Sequence, residues 1–188
     1  MRYLQITIFL TLFSAVLLFS MKGISDEKIV SLAACEFPPY YGQNLTNQGV
    51  VTEITAEAFK KVDYTLKVKF YPWARALDYG KKGLVDGILG LWYTTEREQW
   101  FGFSMPLHPN HLGFYKRKSD LISFKSLHDL KPYKIGIVLG YANPPGFNQA
   151  HLKTEAVITD KNNLMKLYRK RIDLALIDKD VAQYIMKT

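Results

Sequence analysis

Between residues 28 and 91 the hydrophobic period switches repeatedly between that of a strand and that of a helix, and this alternation limits the fold more than any other feature. KIVSLAACEF, residues 28–37, is a nearly unbroken apolar run that ends in turn chemistry at Pro38-Pro39, the pattern of a buried strand. After a loop rich in Asn, Gln and Gly (residues 40–49), Val51, Ile54, Ala58 and Val62 recur at helical spacing. Tyr64 to Tyr71 alternates with the period of a strand, and Pro72 stops it. Trp73 to Lys82 reads as a helix with Ala76, Leu77 and Tyr79 inward, closed by Gly83. Asp86 to Leu91 reads as a third strand. Strand, helix, strand, helix, strand is the order of a parallel sheet with right-handed crossovers, so the fold class is α/β.

The second part repeats the pattern on a smaller scale. Leu112 to Lys116 reads as a strand. Ser126-Leu127-His128-Asp129 has the spacing of a capping box and opens a short helix before Pro132. Lys134 to Leu139 is an apolar strand followed by Gly140, and a helix is expected after Pro144-Pro145-Gly146. A weak strand at Ala156 to Thr159 comes next. Asp160 is expected to cap a helix with Leu164, Leu167 and Tyr168 on one face. DLALI, residues 173–177, is then a strand, and Val181 to Met186 a last helix. Two α/β lobes are expected, residues 26–110 and 111–188, joined near residues 108–120 with a hinge strand near 111–118.

Residues 4–20 carry no charge, Arg2 precedes them, and Gly23-Ile24-Ser25 offers small residues. The expectation is a secretory signal peptide over residues 1–25. A retained anchor is the competitor, disfavoured because hydrophilic Asp26-Glu27-Lys28 follows at once. Losing Arg2 and Lys22 takes the net charge from +8 to +6. The lysines are scattered along solvent faces, and no nucleic-acid partner is expected. Cys35 is the single cysteine, which excludes an intrachain disulfide. Leu32-Ala33-Ala34-Cys35 imitates a lipobox, but charged residues separate it from the apolar run, and Cys35 reads as a small core residue.

No catalytic motif stands out. The four histidines form no helical pair with a carboxylate, so no metal site is expected. There is no G-x-S-x-G, and Gly87-Ile88-Leu89-Gly90 lacks the lysine of a phosphate loop. Neither a catalytic residue nor a cofactor is assigned.

Binding features are richer. Phe37, Trp73, and Trp92 with Tyr93 lie at the ends of three expected strands, where ligands gather in open α/β sheets. Core packing is the alternative for Phe37 and Trp73. Arg97 follows the third strand in a one-turn acidic helix, and its planar fork matches a carboxylate. A surface pair with Glu96 or Glu98 is the alternative. Gly140-Tyr141-Ala142-Asn143 offers backbone N–H groups suited to an anion, or an ordinary glycine turn. Asp178 is either an acceptor for an ammonium or the N-cap of the segment from Lys179.

The ordered series Glu36-Phe37-Pro38-Pro39-Tyr40, Gly49-Val50-Val51, Asp86-Gly87, Thr95-Glu96-Arg97, Phe103-Ser104-Met105-Pro106, Leu127-x-Asp129-Leu130 and Asp173-Leu174-Ala175-Leu176-Ile177-Asp178 resembles the type II periplasmic solute-binding proteins of ABC importers, which capture polar amino acids (extracellular solute-binding protein family 3). Phe70-Tyr71-Pro72-Trp73-x-Arg75-Ala76-Leu77 resembles one branch of that family. The resemblance implies a two-lobed periplasmic-binding-protein-like fold and a non-enzymatic, periplasmic, monomeric protein. Its partners are implied to be a small-molecule ligand (an amino acid or similar carboxylate) and the membrane permease of an ABC importer. By position, Arg97 is implied to clamp the ligand's α-carboxylate and Asp178 to accept its α-ammonium. Phe37 packs on the ligand side chain, Gly90 and Trp92 fall where ligand hydrogen bonds are made, and the N–H groups of Tyr141 and Ala142 reach the carboxylate. Trp92 stands where a small polar residue is usual, which narrows the pocket. The second crossover and the C-terminal part of lobe 1 are expected to be missing after Thr188, leaving apolar surface bare. Two rivals share the scaffold: a cyclohexadienyl dehydratase-like enzyme, and a sensory or interaction module.

Overall fold

The computed structural model describes residues 27–188, and the expected signal peptide lies outside them. β1 (Lys28–Ala34), β2 (Tyr64–Phe70) and β3 (Gly87–Ile88) form a parallel sheet in the order β2-β1-β3. α1 (Val50–Lys60) and α2 (Trp73–Lys81) connect them. β1 is central, so its apolar end is buried through Leu32, Ala33 and Ala34. β2 is an edge strand, and its burial alternates as a half-solvated strand should.

β3 is two residues long, not the six expected from Asp86 to Leu91. The ladder against β1 begins where Asp86 N–H donates to the Ser31 carbonyl and ends where Leu89 N–H donates to that of Ala33, both at 2.9 Å. Gly90 then turns the chain away at φ +77°, a left-handed conformation that favours glycine. A Cβ there would lie 2.1 Å from Tyr41 Oη.

β4 (Leu112–Tyr115), β5 (Lys134–Val138), β6 (Lys153–Val157) and β7 (Leu174–Asp178) form a second sheet in the order β4-β7-β5-β6. β4 runs antiparallel to β7, and the other pairs are parallel. All five residues of β7 are buried, as expected for a strand covered on both faces. α3 (Asp160–Tyr168) and α4 (Lys179–Lys187) belong to this lobe.

Several local expectations are corrected. Turns, not a helix, follow Pro144-Pro145-Gly146, where Gly146 takes φ +79° and breaks helical continuation. β6 begins at Lys153 and ends before Thr159, because Thr159 is the N-cap of α3 and its Oγ1 accepts from Asn162 N–H at 3.2 Å. Asp160 is therefore the first helical residue and not the cap. On α3, Asn163 and Leu167 are buried while Tyr168 is 80% exposed. On α1, Val51 and Thr52 are buried and Phe59 packs on the core, while Ile54 is 49% exposed; the helix ends at Lys60, before Val62, which is 59% exposed in the following turn. The helix turns its bulkiest apolar side chain, Phe59, inward at the expense of Ile54. The capping box at Ser126 is present in a single turn, Leu127–Leu130, where Asp129 Oδ2 accepts from Ser126 N–H at 2.9 Å.

One apolar cluster runs from Leu32 and Ala34 of the first sheet, through Phe37, Trp73 and Tyr141, to Ala175 and Ile177 of the second. No helix among the described residues is long and apolar enough to cross a membrane.

Chemical unfolding should separate the two kinds of apolar position. Leu174→Ala in the buried strand should cost about 2–5 kcal/mol, whereas Ile54→Ala should stay within about 0.5 kcal/mol. Equal losses would contradict the orientation of α1.

Candidate ligand-binding site

The segments that leave β1, β2, β3, β5 and β7 converge between the two sheets around a cleft of about 530 Å³, its open mouth included. From the first lobe it is lined by Phe37, Trp73, Gly90, Trp92 and Arg97, and from the second by Tyr141, Ala142 and Asp178. These are the eight residues singled out in the sequence. Tyr93 does not join them; it is 59% exposed and its ring meets Phe103 edge-on.

Phe37 sits just past β1, where its N–H donates to the Tyr41 carbonyl at 2.9 Å. Its ring stacks on Tyr41 with centroids 5.5 Å apart and meets Tyr141 edge-on at 6.2 Å. Trp73 opens α2 directly after Pro72, so the proline that ends β2 also aims the indole into the cleft. Trp73 Nε1–H donates to the Gly140 carbonyl at 2.7 Å.

Arg97 is carried by a short 3-10 turn, Thr95–Gln99, that Thr94 caps through its side chain. It is 6% exposed, and its guanidinium donates to carbonyls, not to Glu96 or Glu98. Nη1 reaches Trp92 O at 2.6 Å and Nη2 reaches Gly140 O at 2.9 Å, while the group lies 5.5 Å from the Trp73 ring centroid. Two of its five N–H donors are thus engaged.

Asp178 ends β7 and caps α4, which settles one of its two readings: Oδ1 accepts from Asp180 N–H at 2.9 Å and Val181 N–H at 3.1 Å. Its Oδ2 accepts from His111 N–H at 3.0 Å and Asn110 Nδ2 at 3.3 Å. In the turn after β5, Tyr141 N–H donates to Val138 O at 3.2 Å, so in this conformation it is not directed at a ligand. A second bridge between lobes lies nearby, where Tyr40 Oη donates to Asp180 Oδ2 at 2.8 Å.

The sequence profile of the bacterial extracellular solute-binding proteins, family 3, matches residues 29–185. The chain belongs to that family. It is a solute-binding protein with the two-lobed type II architecture. An ancestral arginine-binding protein bound to arginine superposes with a TM-score of 0.72 at 23% identity, covering 86% of this chain and 74% of that one. The substrate-binding protein of an amino acid ABC transporter gives 0.72 at 20% identity, covering 85% and 74%. An ancestral amino acid-binding protein, a precursor of cyclohexadienyl dehydratase, gives 0.70 at 18% identity with the same coverage. At these identities the likeness establishes the fold. No curated protein matches the sequence significantly.

In this solute-binding protein the cleft also holds residues that the sequence reading placed elsewhere. Cys35 is a core residue as expected and also lines the cavity, together with Asp160, expected as a cap, and Tyr41, for which no role was read from the sequence. The Tyr-Tyr pair after Pro39 and an acid after the last strand-like residue were the available signals. Tyr141 Oη donates to Asp160 Oδ2 at 3.3 Å and lies 3.6 Å from Cys35 Sγ. Burial pushes the Cys35 thiol up to about 12 and the Tyr41 and Tyr141 hydroxyls well above their usual value, so these groups stay neutral near pH 7. Burial pulls Arg97 below its usual value. Burial, followed by the repulsion of Asp178 and opposed by the Tyr141 hydrogen bond, raises Asp160 to about 7. Among the described residues no cluster of metal-ligating side chains occurs.

A carboxyl raised to about 7 in the fold and near 3.8 when unfolded keeps its proton longer in the native state. Stability from this group is therefore present at low pH and lost as pH rises from about 4 through 7, by a few kcal/mol on the order of 1.4 per pH unit. Denaturant titrations at pH 5 and pH 8 should show that loss in the ligand-free protein, and Asp160→Asn should shrink it. An unchanged difference in the variant would place the titration elsewhere.

Proposed function

We propose that this chain is an exported periplasmic protein that captures a polar amino acid or similar small carboxylate and delivers it to the membrane permease of an ABC importer. The observation that carries this reading is the meeting, in one aromatic-walled cleft, of an arginine from the first lobe with a carboxylate from the second. Arg97 retains N–H donors beyond its two carbonyl bonds, and with the Ala142 N–H it would receive the ligand's carboxylate. Asp178, held by four donors, would accept the ammonium as a fixed anion. The same arginine already bonds across the cleft to Gly140, so ligand binding and lobe closure would act through shared atoms.

A second reading, an enzyme on the same scaffold, is favoured by one feature: Asp160 is a cleft acid poised near neutrality, as a general acid or base requires. Formation of product from a cyclic prephenate-like acid, abolished by Asp160→Asn, would favour it.

The capture reading is tested by thermal melts of the protein purified from the periplasm, with and without single amino acids. A ligand present at about one hundred times its Kd should add roughly 2.7 kcal/mol. Arg97→Lys keeps the charge but loses the fork, and should weaken binding at least about tenfold, a loss of about 1.4 kcal/mol. A cooperative melt that no amino acid shifts would refute the reading.

A further inference from the structure

Asp160 is a carboxylate without a counter-ion in a cleft built for charged groups. It is 4% exposed and lines the cavity. Its Oδ2 accepts from Tyr141 Oη at 3.3 Å. Among the described residues no other residue donates to Oδ1, and no Lys, Arg or His lies within 4.0 Å of either oxygen. Asp160 is the first residue of α3, where the helix N-terminus favours an acid, but the cap itself is supplied by Thr159, so its carboxyl is not used as the cap. Leaving a charge buried and unpaired is costly, and a ligand cation removes that cost.

Charge bookkeeping in the cleft points the same way. Among the described lining residues Arg97 is the one cation, and Asp178 and Asp160 are two carboxylates. A zwitterionic amino acid with a neutral side chain would match Arg97 and Asp178 and leave Asp160 unanswered. A second cation on the ligand would answer it, and the rings of Trp73, Trp92 and Tyr141 offer faces that also attract a cation. The other groups facing Asp160 are the Cys35 thiol and the Tyr41 and Tyr141 hydroxyls, which are neutral, and Asp178, which is repulsive.

We infer that Asp160 is the specificity determinant of this cleft, pairing with a cationic group on the ligand's side chain, so that the site selects amino acids bearing a distal ammonium or guanidinium. The inference rests on the amino-acid capture reading and names its ligand class. It has a signature in pH. Near neutrality the empty site is partly protonated at Asp160, and a cation entering there expels the proton. Affinity for a cationic ligand therefore climbs as pH rises toward about 7, at most about tenfold per unit, and flattens above it.

Isothermal titration of the full mature protein with matched pairs tests this: arginine against citrulline, which share shape but differ in charge, and lysine against glutamine. The expected result is a preference of tenfold or more for a cationic member, growing between pH 6 and pH 7.5. Asp160→Asn, checked for folding by its melt, should remove both the preference and its pH dependence. Equal affinity within the pairs, or a preference that persists in Asp160→Asn, overturns the inference while leaving amino-acid capture standing. Binding of a carboxylate-free diamine such as cadaverine, lost in Asp160→Asn, with no amino acid bound, supports the cation site and refutes carboxylate capture. No binding of any of these probes overturns both.

Discussion

Two donors from the first lobe, Trp73 Nε1 and Arg97 Nη2, converge on a single acceptor of the second, the Gly140 carbonyl. Much of the molecule's arrangement serves that meeting. Pro72 ends β2 so that Trp73 faces the cleft, the capped turn at Thr94 fixes Arg97, and Gly140 takes φ +79° to turn its peptide after β5. Because the Trp73 and Arg97 side chains are themselves buried, leaving either donor unmet would be expensive. The lobes are thus joined by directional polar contacts in addition to the apolar cluster that runs between the sheets.

The cleft treats its two carboxylates in opposite ways. Asp178 accepts from four donors, two at the start of α4 and two from Asn110 and His111. These bonds fix the carboxylate in place at the end of β7. Asp160 has one side-chain donor, the Tyr141 hydroxyl, and burial together with the repulsion of Asp178 raises its carboxyl to about 7. Two acids of the same type, one capping α4 and the other opening α3, therefore sit in different surroundings, the first tied by fixed donors and the second nearly without them.

Composition and period carried the α/β class, the order of the strands and the location of the cleft at their carboxyl ends, because strand-end aromatics and turn residues follow from backbone connectivity alone. Side-chain allegiance was less legible. Ile54 and Phe59 both fit a helical stripe, and only packing against the core decides that Phe59 goes in. Asp160 after Thr159 looked like a cap, since either residue type serves; the hydroxyl took the role and freed the acid for the cleft. The length of β3 is not legible either, because Leu89 and Leu91 continue an apolar run that Gly90 bends away from the sheet. A residue's backbone duty can be read from its neighbours in the chain, whereas its partner across the fold cannot.

The position of Arg97 has a consequence for how closure and binding compete. If a ligand carboxylate takes Nη2 from Gly140, that carbonyl is still held by Trp73 at 2.7 Å, so the lobes remain bridged while the arginine changes partners. The exchange replaces a neutral acceptor with a charged one, and charge-assisted bonds are about twice as strong as neutral ones. Binding then gains the difference between two bonds, not the full strength of a new one, and preorganisation of the arginine lowers the entropy lost in making it. An acceptor shared by two donors thus lets one of them serve the ligand without releasing the clasp.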